Sequence, residues 1–131
     1  MASILGGFMY LYQEMTERII KCFYEVYNTL GYGCLESVYE SALEIELKRN
    51  GLFVERQKEI SVHYKGEVVG IFRMDLVVEK KIIIELKATS AILPVHESQV
   101  IHYLKSSGMK LGYLVNFGEK INFKRMIFDM H

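Results

Sequence analysis

Asp75, Glu85 and Lys87 stand in otherwise apolar runs, Arg73-Met74-Asp75-Leu76-Val77-Val78 and Ile83-Ile84-Glu85-Leu86-Lys87. On an extended chain residues i and i+2 point to the same face. Glu85 and Lys87 are therefore neighbours about 7 Å apart, from a rise of about 3.3 Å per residue. Asp75 belongs to the preceding strand, across a short turn near Glu79-Lys80-Lys81. An odd-length turn or a bulge sets Asp75 beside Glu85, whereas a two-residue turn sends it to the opposite face. Two adjacent carboxylates repel each other, and a divalent cation between them removes that penalty. Hard oxygen ligands suit Mg²⁺ or Mn²⁺, with water and a substrate phosphate completing the shell. Such a cation polarises a phosphoryl oxygen and lowers the pKa of a bound water. Lys87, a compact cation, can orient or deprotonate that water and offset charge in the transition state. As a bare D-x9-E-x-K spacing, the same residues equally suit an ion-paired patch at the end of a sheet.

Gln99 and Tyr103, four apart, share one face of a helix. Gln99 can position a water or bridge to a ligand; Tyr103 can pack beneath it or touch a phosphate. Glu36 sits in a first helical turn, where the helix dipole favours an acid, and beside a metal site it would be a third carboxylate. Tyr39 shares its face and is expected in the core. Lys120, Lys124 and Arg125, with Phe123 between, form a basic-aromatic cluster that a solvated strand edge explains equally well. His63, His96, His102 and His131 make no metal-binding spacing, and no Walker loop, nucleophile elbow or dinucleotide fingerprint occurs.

These residues need a scaffold, and 131 residues suffice for one domain. Half the chain is hydrophobic and 24% is charged, which predicts a packed core rather than disorder. Sixteen basic residues balance sixteen acidic ones, so any nucleic-acid contact must come from local patches or depend on bound metal. Cys22 and Cys34 read as small packing residues in a reducing compartment. Met1 to Leu11 lacks the positive start of a signal peptide and is too short to span a membrane. It is expected to be a loosely ordered tail, and the protein to be cytoplasmic with no membrane contact.

Apolar residues at helical spacing predict a first helix from about Tyr12 to Leu30, stopped by Gly31-Tyr32-Gly33. A second is expected from Leu35 to Asn50, with Val38, Tyr39, Ala42, Leu43, Ile45 and Leu47 as a broad apolar face. Strands follow over Phe53–Tyr64 and Val68–Val78, the latter with a possible bend at Gly70. Lys81–Lys87, with its Ile82-Ile83-Ile84 run, suits a central strand buried on both sides. A third helix over Val95–Ser107, stopped by Gly108, precedes strands at Leu111–Phe117 and Ile121–Phe128. The order α-α-β-β-β-α-β-β implies an α/β fold whose mixed central β-sheet is flanked by helices, with the third helix as a crossover.

Gly33-Cys34-Leu35-Glu36-Ser37-Val38-Tyr39 resembles the G-x-x-E-x-x-Y signature of the GxxExxY proteins, a branch of the PD-(D/E)xK nuclease superfamily. Glu40-Ser41-Ala42-Leu43, Asp75-Leu76-Val77-Val78, Ile84-Glu85-Leu86-Lys87-Ala88, Gln99 to Lys105 and Gly112 to Gly118 are also similar to that family. The similarity runs from about Thr16 to Phe128, with five motifs in order. It implies a restriction-endonuclease-like core, with Asp75 and Glu85 as metal-binding acids, Lys87 as catalytic lysine and Glu36 as the acid from an early helix. Gln99 to Tyr103 resembles the Q-x-x-x-Y element of exonuclease-like members. The expectation is a Mg²⁺- or Mn²⁺-dependent nuclease acting on DNA ahead of RNA. The Leu86 carbonyl would help hold metal and Gln99 would orient water. Tyr103, Lys105, Lys124 and Arg125 are the candidate nucleic-acid contacts, and a homodimer is plausible. The rival expectation is a catalytically silent module on the same fold that binds nucleic acid or protein.

Overall fold

The computed structural model describes residues 12–129; the expected N-terminal tail, 1–11, lies outside them. The elements are α1 (Gln13–Leu30), α2 (Glu36–Arg49), β1 (Val54–Tyr64), β2 (Glu67–Val78), β3 (Ile82–Lys87), α3 (Pro94–Ser107), β4 (Leu111–Phe117) and β5 (Ile121–Ile127). One five-stranded sheet runs β1-β2-β3-β4-β5. Every neighbouring pair is antiparallel except β3 and β4, which are parallel and joined through α3. The mixed sheet and the α-α-β-β-β-α-β-β order are thus those expected.

Each face of the sheet buries its own helices. Ile19, Phe23 and Val26 of α1 and Tyr39, Leu43 and Leu47 of α2 pack on Leu76, Val78, Ile82, Ile84, Tyr113 and Val115. On the other face, Val100, Tyr103 and Leu104 of α3 pack on Met74, Val77, Ile83 and Leu114. β3 lies at the centre, buried from Ile82 to Leu86.

The buried face of α2 is narrower than its sequence suggests. Tyr39, Leu43 and Leu47, spaced four apart, meet the sheet, whereas Val38 is 42% and Ile45 58% exposed. A helix touching a sheet along one line needs only that i, i+4, i+8 row. Tyr39 stacks on Phe117, ring centroids 4.6 Å apart. Its hydroxyl donates to the Gly31 carbonyl (2.6 Å) and accepts the Cys34 N–H (3.2 Å). One buried side chain thereby ties down the loop between the helices. Gly31, with φ +73°, supplies the left-handed residue that ends α1.

The β2–β3 turn sets the phase of the site. Val78 pairs with Ile82, so three residues intervene. Glu79 and Lys80 both have positive φ, and Lys81 N–H closes the turn on the Val78 carbonyl (3.0 Å). That odd count brings Asp75 opposite Glu85.

The long β1–β2 hairpin changes face midway. Met74 faces α3, yet Leu76, two residues on, faces α1 and α2. Ile60 and Val54 on β1 divide in the same way. The rotation occurs at Gln57, opposite Asp75, where a non-glycine residue holds φ +54° inside a strand. A second irregularity lies at Val62/His63, against Gly70, close to the expected bend. Beyond Gln57 the hairpin becomes an arm that wraps toward α3.

Candidate active site

The β2–β3 ladder stops at Leu76–Ile84, and side chains fill the gap beyond it. Glu85 Oε1 accepts the Asp75 N–H (3.3 Å), and Asp75 Oδ2 accepts the Leu86 N–H (2.9 Å). Extended residues project their N–H and C=O to the same strand edge. The Leu86 carbonyl therefore faces the gap, alongside both carboxyls. Lys87 follows on β3, close enough for its charge to act on Glu85.

Burial raises both carboxyls above the ordinary range. Glu85 is 3% exposed. Burial first, then the charge of Asp75, pushes its pKa up to about 9. On Asp75 the upward push of burial, joined by the charge of Glu40, is opposed by the Leu86 N–H and by bonds from Glu85 and Gln57. Without a cation, the pair therefore keeps a proton near neutral pH, on Glu85 and shared toward Asp75.

Glu40, one turn beyond Glu36, enters the sequence reading only as part of the family-like helix, with no role at the site, yet it belongs to this site. It is 6% exposed. Gln57 Nε2 donates to both its oxygens (3.1 Å each) and to Asp75 Oδ1 (3.2 Å). Arg56 Nε donates to Glu40 Oε2 at 2.6 Å. An ion pair thus anchors the amide that braces the first metal-candidate acid. Glu36 is exposed in the first turn of α2 and makes no hydrogen bond to the pair. The available signal was the i, i+4 relation of Glu36 and Glu40, which puts both on one helix face.

Gln99 Nε2 donates to the Tyr103 hydroxyl (2.8 Å). Tyr103 is 4% exposed and packs on Phe72, centroids 5.3 Å apart. Burial, with the charges of Glu85 and Asp75, pushes its hydroxyl to about 12. It is a neutral donor-acceptor behind Gln99 and offers no open face to a ligand. Lys105 is exposed on α3. Lys124 is held by Glu97 at 3.1 Å. The expected C-terminal cluster divides between faces: Phe123 packs on Phe23 and Tyr113, and Arg125 acts on Tyr113, opposite Lys124.

No cluster of three or more His, Cys, Asp or Glu side chains positioned to hold a metal occurs among the described residues. The donors present are two carboxylates and one carbonyl, all hard oxygens. That set fits Mg²⁺ or Mn²⁺, which bind through one or two carboxylates and leave other positions to water and phosphate. Burial is the first cause of the raised Glu85 pKa and the charge of Asp75 the second; a divalent cation would offset that second contribution.

Among solved structures, the crystal structure of SSO0001 is similar, with TM-score 0.60 and 24% identity over 72% of this chain and 50% of that one. An alkaline exonuclease (LHK-Exo) from Laribacter hongkongensis is also similar, with TM-score 0.50 and 14% identity over 66% of this chain and 52% of that one. The chain spans about half the length of each. No curated protein matches the sequence. The profile of the PD-(D/E)XK nuclease superfamily matches residues 13–126, and with this restriction-endonuclease-like fold the chain belongs to that superfamily.

Proposed function

We propose that the chain is a metal-dependent nuclease that hydrolyses phosphodiester bonds, in DNA ahead of RNA. The observation that carries this is the buried contact of Asp75 with Glu85 in a broken ladder, with Lys87 on the same strand. Asp75, Glu85 and the Leu86 carbonyl would hold Mg²⁺ or Mn²⁺, and Glu36 remains a proposed supplementary acid. When bound, that cation supplies Lewis-acid polarisation of the phosphoryl oxygen and a more acidic water.

The chain's own residues do the rest. Asp75 is braced by Gln57 and the Leu86 N–H, so its carboxylate is held before a ligand arrives. Glu85 would hold the cation as the second carboxylate, its proton passing to solvent. Lys87 orients the attacking water and offsets charge on the phosphorane-like transition state. Gln99, its amide nitrogen engaged by the Tyr103 hydroxyl, keeps its carbonyl oxygen available and would orient that water.

The GxxExxY branch is the best placement within the superfamily, supported by Gly33, Glu36 and Tyr39 and by the loop that Tyr39 ties down. Cytoplasmic residence, a single domain and a homodimer are further parts of the proposal. A silent binding module is the second reading, favoured because both Asp75 oxygens already accept donors within the chain. End-labelled single-stranded DNA, duplex DNA and RNA incubated with Mg²⁺ or Mn²⁺ separate the two readings. Cleavage by wild type and not by Lys87→Ala supports the nuclease; equal cleavage by both marks a contaminant. Tight binding with no cleavage in either metal supports the silent module.

A further inference from the structure

A trough of two adjoining cavities runs between the hairpin arm and α3 and reaches Gln99. One cavity, about 390 Å³, is lined by Ser61 and His63 of the arm and by His102, Lys105 and Ser106 of α3. A second of about 390 Å³ is lined by Phe72 of the arm and by His96, Gln99 and His102. The two share His102, and the second reaches Gln99, which bonds to the tyrosine that feels Asp75 and Glu85. Val95, Gln99, His102 and Ser106 recur every three or four residues, one stripe beside the row that α3 buries. From Val95 to Ser106 that stripe is about 17 Å long at a rise of about 1.5 Å per residue.

The lining is selective. The chain has as many acids as bases overall, yet neither cavity is lined by an Asp or Glu. Three of the four histidines, Lys105 and several serine hydroxyls lie there instead. The nearby acid of α3, Glu97, is engaged by Lys124. Lys105 makes no ion pair among the described residues. Phe72 is half-buried, rests on Tyr103 and offers its other side to the second cavity. A basic track with an aromatic platform is how single strands are held irrespective of sequence. The destination argues for one strand as well. Glu85, to which the nuclease reading brings the scissile phosphate, is 3% exposed, so a phosphate must descend to it, which a lone strand can do more readily than the outer wall of a duplex.

We propose that this trough is the track of a single nucleic-acid strand, with Lys105, His102 and His63 contacting phosphates and Phe72 stacking a base. The inference rests on the nuclease reading and names its substrate as single-stranded phosphodiester, DNA or RNA. Its test is equilibrium binding in EDTA, where metal-dependent cleavage is absent, so that it can fail separately from catalysis. Fluorescently labelled 12-nucleotide DNA, RNA of the same sequence and the DNA duplex are titrated against the full chain across a salt series. Wild type, Lys105→Ala, Lys105→Glu, Phe72→Leu and, as a surface control on α1, Lys21→Ala are compared.

Single strands should bind more tightly than duplex. Lys105→Ala should flatten the log–log salt slope by about 0.7, one phosphate contact, and Lys105→Glu should weaken binding about tenfold. Phe72→Leu should weaken binding with the slope unchanged, because stacking releases no counterion. A preference between the DNA and RNA strands identifies the sugar. Duplex binding as tight as single-strand binding, Lys105 variants no weaker than Lys21→Ala, or no binding by wild type would each overturn the track. Normal metal-dependent cleavage by Lys105→Glu alongside any of these would leave the nuclease standing and the track refuted.

Discussion

Replacing Glu85 by glutamine tests whether the acid pair stores a proton that metal must displace. The folded pair keeps a proton on Glu85 up to about pH 9, whereas an unfolded glutamate releases it near about 4.3. Between those values the native state binds more protons than the unfolded state, so rising pH favours unfolding. This contribution to stability is fully present below the unfolded pKa and is lost as pH rises through the folded one. Each unit in that window is worth about 1.4 kcal/mol. From pH 5 to pH 8 the metal-free wild type should therefore lose up to about 4 kcal/mol, a ceiling because Asp75 and Glu85 titrate together. Glutamine keeps the shape, accepts the Asp75 N–H and donates to Asp75 as the protonated acid would. Urea unfolding of metal-free protein at several pH values, following ΔG against pH, reads the difference directly. The variant should show a nearly flat profile and exceed wild type in stability at pH 8. Calorimetry in buffers of different ionisation enthalpy should find about one proton released per Mn²⁺ bound by wild type near pH 7.5. Parallel pH profiles for the two proteins, with no proton released on metal binding, would refute the reasoning.

Glu85→Ala should abolish Mn²⁺ binding measured by calorimetry, whereas Lys87→Ala should retain it and lose turnover by at least about a hundredfold, the scale of a general-base or charge-stabilising group. Equal metal affinity for wild type and Glu85→Ala would remove Glu85 from the site. Gln57→Gly relieves a positive-φ position but deletes the amide between Glu40 and Asp75. It should change unfolding free energy by less than about 1 kcal/mol while weakening Mn²⁺ binding about tenfold. Tyr39→Phe removes two hydrogen bonds in the α1–α2 loop and should cost about 1–3 kcal/mol in urea unfolding. Gly118→Ala puts a methyl 2.8 Å from the Thr89 carbonyl oxygen; it should destabilise by about 1–3 kcal/mol, measured the same way.

What the sequence disclosed follows from the range of each signal. Helix and strand identity are local, and Gly31, Gly108 and the Ile82-Ile83-Ile84 run mark element ends and the sheet centre without tertiary information. The dependence of Asp75 on turn parity was also legible, because side-chain alternation leaves only two outcomes. Glu40 and Gln57 were not legible. Their relation crosses from α2 to β1 and depends on a residue entering left-handed conformation inside a strand, which no two-residue periodicity anticipates. Phase counted from Val54 fails at Ile60 for the same reason. The extra apolar positions of α2, Val38 and Ile45, were overread because amphipathic spacing shows that a face could be buried, not that anything covers it. Lys124 and Arg125 looked like one cluster, although adjacent residues on a strand face opposite ways.

The brace from Glu40 through Gln57 to Asp75 joins a helix to a hairpin that follows it in the chain, and Glu85 comes later still. Contacts between distant positions form late, after loop-closure entropy has been overcome. A nascent or partly folded chain could have its first two helices in place and still lack an organised acid pair. On the proposed nuclease reading, hydrolytic capacity would then arise with the last docking event, and a cell making this protein would be spared a half-folded species able to cut its nucleic acid.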